Sequence, residues 1–66
     1  MQITRIKLCR FKSGLLQFEL ARQANINWRR LSEIESGRSR PETEELARSA
    51  AALGVPSERL VDSMPA

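Results

Sequence analysis

Along WRRLSEIES (28–36), the side chains that form strong hydrogen bonds fall on one side of a helix. At 100° per residue, Arg29, Ser32, Glu33 and Ser36 share a face with Trp28 at its edge, and Leu31, Ile34 and Glu35 share the opposite one. Arginine offers a planar fork of donors, serine a hydroxyl that donates or accepts, and ionised glutamate an acceptor only. That is the chemistry of recognising an external polar surface. Catalysis would need a nucleophile beside a base, or an acid and a base poised near neutral pH. The chain has no His, and Ser32 and Ser36 have no base nearby. It also lacks a Gly-rich phosphate loop and a set of metal ligands. An enzyme is not expected, and no cofactor or small-molecule ligand is evident.

A second group follows at once. Gly37-Arg38-Ser39-Arg40 places two cations and a hydroxyl in a loop, where they are suited to a phosphate backbone or simply to water. Charge is polarised along the chain. Residues 1–40 hold nine Lys and Arg against three Glu, a net of +6, whereas residues 41–66 hold two Arg against five acids, a net of −3. One basic face is the electrostatic footprint of a polyanion binder. Length adds a bound, because 66 residues bury only about 60% of the unfolded surface, leaving no room for a deep cavity beside a core. No run of 18 apolar residues would span a membrane, and MQITRIKLCRFK is not a signal peptide. The lone Cys9 permits no intramolecular disulfide. It falls on the inward side of its segment as a small hydrophobe. An intracellular protein is expected.

Four residues suited to positive φ punctuate the chain: Gly14, Asn25, Gly37 and Gly54. Each ends a segment with helical apolar spacing: Ile3, Ile6 and Cys9 or Arg10; Leu20, Ala21 and Ala24; Leu31, Ile34 and Glu35; and Leu46, Ala47, Ala50 and Leu53. Pro41 separates the third segment from the fourth, and Pro56 opens a short fifth one carrying Leu60 and Val61. Five short helices and no strand are expected, in one domain over residues 1–63 with a frayed tail at 64–66. Helices at 17–24 and 28–36 are joined by Asn25-Ile26-Asn27, a turn short enough to set them at a steep angle. Asn27 suits the N-cap of the second of these.

Over Ile6 to Val61 the sequence resembles the Cro and phage-repressor, or Xre-type, helix-turn-helix family. The resemblance is carried by GLLQFELARQANINWRRLSEIESG (14–37) and LARSAAALGV (46–55), with Gln17, Glu19-Leu20-Ala21, Leu31, Ile34-Glu35-Ser36-Gly37 and Leu53-Gly54-Val55 in register. It implies an all-α, five-helix, lambda-repressor-like DNA-binding domain whose third helix enters the major groove. On that resemblance Trp28, Arg29, Ser32 and Glu33 read bases. Arg29 can bond guanine O6 and N7, and Glu33 can accept from a cytosine amino group. Trp28 covers a thymine methyl or a sugar–phosphate edge, or packs on the turn. Gln17, Asn27, Arg30, Arg38, Ser39 and Arg40 are placed on phosphates, with Arg30 equally readable as an ion-pair partner. Arg10 and Glu35 are expected to form a structural ion pair between the first and third helices.

Asn25 takes the turn position where the family usually has Gly, which a left-handed site tolerates, and two further departures matter more. Leu16 stands where a capping Ser, Thr or Asn is usual, and Phe18 where a small or polar residue is. With Leu15 they form an apolar cluster that either folds back on itself or offers a protein contact. The resemblance implies a cytoplasmic, bacterial or phage-encoded regulator, a repressor binding double-stranded DNA as a homodimer on a two-fold operator. Minimal repressors, restriction–modification controllers and antitoxins all fit that description. The acidic stretch Glu58 to Met64 is a candidate dimer contact, although Leu60 and Val61 could instead close the core. The alternative is a protein-binding module, such as a toxin's partner, using Leu16, Phe18 and Trp28.

Overall fold

The computed structural model describes residues 3–61. Its first helix, α1 (Arg5–Ser13), begins at Thr4, whose hydroxyl accepts the Lys7 N–H. The next, α2 (Gln17–Gln23), begins at Leu16 without a side-chain cap, as the apolar residue there dictates. One orphan amide is recovered locally, because Glu19 Oε1 accepts the Leu16 N–H at 2.8 Å. In α3 (Trp28–Glu35) the cap is Asn27, which accepts the Arg29 N–H at 2.9 Å. The long helix α4 (Thr43–Leu53) starts after Pro41 and Glu42. The fifth expected helix is a single 3-10 turn, Ser57–Leu60, because Pro56 caps it from outside and the backbone is extended again at Val61. Among the described residues there is no strand.

All four α-helices end on a residue with positive φ, namely Gly14, Asn25, Gly37 and Gly54. Each closes in the same double bond. At α2 the Asn25 N–H reaches the Arg22 carbonyl and the Ile26 N–H reaches the Ala21 carbonyl. At α3 Gly37 bonds Ile34 and Arg38 bonds Glu33 in the same way. The residue after the left-handed one normally turns inward to pack on the helix it closes. Leu15, Ile26 and Val55 follow that rule and are at least half-buried. At α3 the position holds Arg38, which is exposed.

Core residues come from every element: Ile6 of α1, Leu20, Ala21 and Ala24 of α2 and its cap, Ile26, Leu31 and Ile34 of α3, Ala50 and Leu53 of α4, and Leu60. Each fully buried leucine contributes about 1.5–3 kcal/mol of apolar transfer free energy. α2 packs against α3 and α4, and α4 and α1 both pack against the 3-10 turn. Arg48 of α4 ties the end of α2, its Nε donating to the Ala24 carbonyl at 2.8 Å. The inward face of α4 differs by one position from expectation. Ala47 is exposed and Ser49 is fully buried, its hydroxyl without a partner among the described residues. The row is therefore Leu46, Ser49, Ala50 and Leu53, in which a serine serves as a small residue. Leu60 closes the core, whereas Val61 is exposed. The tail expected at 64–66 and the end of the acidic stretch lie outside the described residues.

Candidate nucleic-acid interface

Eight residues make α3 about 12 Å long, and a helix with its side chains is about 10–12 Å across, a cross-section that a B-DNA major groove admits. Its inner face is fully committed, with Leu31, Ile34 and Glu35 buried. Its outer face is open. Arg29, Ser32, Glu33 and Ser36 are all exposed. Of these, only Ser36 has its side chain bonded, to the Glu33 carbonyl at 3.1 Å. Arg29, Ser32 and Glu33 thus present a fork of donors, a hydroxyl and an acceptor with no internal partner among the described residues.

Glu35 organises the interior end of this face. Arg10 reaches it from α1 with two bonds, Nε to Oε2 at 2.8 Å and Nη2 to Oε1 at 3.0 Å. Both residues are buried, at 6% and 3% exposure. Arg10 Nη1 also donates to the Leu15 carbonyl at 2.9 Å, and the guanidinium stacks 4.9 Å from the Phe11 ring centroid. The Thr4 hydroxyl donates to the Glu35 carbonyl at 2.8 Å, so α1 grips both the side chain and the backbone of one residue.

Gln17 extends this network outward. Its Nε2 donates to Glu35 Oε1 at 3.1 Å, and its Oε1 accepts the Trp28 indole N–H at 2.7 Å. An indole N–H only donates and an ionised carboxylate only accepts, so the two partners fix which way the amide points. One amide hydrogen of Gln17 is left for an outside acceptor. Trp28, 61% exposed, lies between the two expected roles: its N–H is tied to α2 while most of its ring faces solvent. Asn27 is similar, for its oxygen is spent on the cap and its NH2 group remains.

Beyond α3, Arg38 and Arg40 are exposed and their side chains have no bonded partner among the described residues, and Ser39 is half-buried between them. Arg30 differs. Its guanidinium donates from Nε to Glu45 Oε2 at 3.0 Å and from Nη2 to Glu45 Oε1 at 2.9 Å, with a further bond to the Arg40 carbonyl at 2.9 Å. Of the two roles expected for Arg30, the structure displays the ion pair. The bonded guanidinium holds the Glu45 carboxyl below the usual carboxylate range, and the same bond raises Arg30 further above its ordinary value. Sequence reasoning missed Glu45, as it missed the Arg48 cap. These partners lie on separate elements and no periodicity links them.

Leu16 and Phe18 are 58% and 55% exposed, so the apolar cluster at the start of α2 does not fold away. Among the described residues no helix is long and apolar enough to cross a membrane, and no cluster of His, Cys, Asp and Glu could hold a metal ion.

Comparison with curated proteins gives no significant match. Comparison with family models matches residues 4–64 to a helix-turn-helix domain, a span that takes in all four helices and the 3-10 turn. The protein therefore belongs to the helix-turn-helix domain family.

Proposed function

We propose that the protein is a non-enzymatic, sequence-specific regulator that binds double-stranded DNA, with α3 in the major groove. The observation that carries this reading is the outer face of α3. Arg29, Ser32 and Glu33 stand exposed and unbonded on a helix whose other face is anchored through Leu31, Ile34 and Glu35. Arg29 would take guanine O6 and N7, and Glu33 a cytosine amino group. The spare hydrogens of Gln17 and Asn27, with Arg38, Ser39 and Arg40, would fix register on phosphates. Trp28 would cover a thymine methyl or the sugar edge with its free ring face.

A lone reading helix spans few base pairs, so the protein would act as a homodimer on a two-fold operator, with half-sites about 34–36 Å apart. Repression would follow from occlusion of a promoter, in a cytoplasmic setting. A second reading, a protein-binding module such as the partner of a toxin, is favoured by the exposed Leu16, Phe18 and Trp28. Selection of duplexes from a randomised library at moderate salt tests the first reading. An enriched inverted repeat is expected, and Arg29→Ala should relax one position in each half-site. If nothing is enriched and binding is the same for every sequence, the regulator reading falls and the module reading takes its place.

A further inference from the structure

The loop that carries Arg38 and Arg40 is held at both ends, and the two ends are held differently. At its start the Arg38 and Ser39 amides both donate to the Glu33 carbonyl, at 3.0 and 3.3 Å. At its end the Arg40 carbonyl accepts from Arg30 Nη2 at 2.9 Å, and the Glu42 amide donates to Glu45 Oε1 at 2.8 Å. Arg30 sits on α3 and Glu45 on α4, and they are joined by two hydrogen bonds of their own. One ion pair thus touches α3, the loop and the start of α4. Both of these bonds at the loop end lead back to it.

We infer that Arg30 and Glu45 are positioning residues, which clamp the 37–41 loop in the shape that presents Arg38 and Arg40 to a nucleic-acid backbone. Arg30 does this instead of contacting a phosphate. Its fork spans the two carboxylate oxygens and a carbonyl at once, a set that lysine's single ammonium does not reproduce. The proposal rests on the DNA-binding reading, and it predicts a sign that simple electrostatics does not. Removing the Glu45 charge makes the protein more positive, so charge alone predicts tighter binding and, with Arg30 freed onto a phosphate, a salt slope steeper by about 0.9. Loss of the clamp predicts weaker binding, with the slope shallower by up to about 1.8 as two phosphate contacts are lost.

The test is Glu45→Gln and Arg30→Lys, each measured against wild type for binding to a short mixed-sequence duplex across a salt series, at a temperature where all are folded by circular dichroism. Both variants should bind more weakly and with a shallower slope. In an Arg38→Ala/Arg40→Ala background the same substitutions should have no further effect on binding. Glu45→Gln binding more tightly with a steeper slope overturns the proposal, and so does an equal loss in the background lacking the loop arginines. Trypsin supplies an arm without DNA, because the Arg38–Ser39 bond lies inside the clamped loop. Faster cleavage there in both variants is expected, and unchanged cleavage refutes the clamp. A wild type that binds no duplex removes the DNA reading, while the trypsin arm still decides whether the pair orders the loop.

Discussion

Replacing Arg10 with methionine isolates the energetics of the buried pair. The substitution keeps an apolar stem of similar reach but removes both bonds to the Glu35 carboxylate and the bond to the Leu15 carbonyl. The carboxylate of Glu35, a residue 3% exposed, is left with one hydrogen bond, from Gln17. Breaking a buried pair from one side typically costs about 3–5 kcal/mol, because the remaining charge is desolvated without compensation. A domain of this length has a total stability of roughly 3–10 kcal/mol. At about 4–8 °C per kcal/mol, Arg10→Met should lower Tm by about 12 °C or more. Calorimetry and urea unfolding on wild type, Arg10→Met, and Arg10→Met/Glu35→Leu check it. The double variant should recover most of the loss, since no charge then remains buried. A single variant within about 1 kcal/mol of wild type would refute the reasoning. A double variant as weak as the single one would place the loss in the bond to the Leu15 carbonyl and the guanidinium's stack on Phe11 instead.

Other outcomes follow from local geometry. Because Arg30 depresses the Glu45 carboxyl in the folded state, the stability this gives is fully present above the ordinary value near 4.5 and is lost as pH falls through the folded value. The difference in Tm between wild type and Glu45→Gln should therefore be constant near neutrality and shrink in acid, and a difference independent of pH would contradict the assignment. Asn25 sits at φ 54°, so Asn25→Ala should cost about 1–2 kcal/mol in urea unfolding while Asn25→Gly changes little. Equal effects of the two would remove the left-handed turn as the reason. Ser49→Ala should raise stability by about 1 kcal/mol, by removing a buried hydroxyl without a partner. A loss would mean that the hydroxyl is bonded.

Helix ends were the most legible part of the fold. Gly14, Asn25, Gly37 and Gly54 each mark a real terminus, because few residues tolerate the left-handed backbone that such a terminus requires. The apolar rows of α2 and α3 were equally plain. The fifth element was misjudged because a proline and two apolar residues give the same signal in an α-turn and in a 3-10 turn. On α4, hydropathy chose Ala47 over Ser49, although the helix needed only a small residue at the buried position. At the candidate interface, the exposed set on α3 followed from helical phase alone. The links from Trp28 to Gln17 and from Arg30 to Glu45 did not, since they join residues 11 and 15 positions apart whose meeting depends on how the helices cross.

The chain of bonds from Trp28 through Gln17 and Glu35 to Arg10 has a consequence for anyone wishing to retarget the protein. Position 28 is no free letter in a recognition alphabet, because altering it releases the amide that is held against the most buried charge in the fold. Positions 29, 32 and 33 carry no such obligation. A library that randomises those three and leaves 28 untouched would explore new operators without also sampling new stabilities, so that failed variants could be read as failures of specificity rather than of folding.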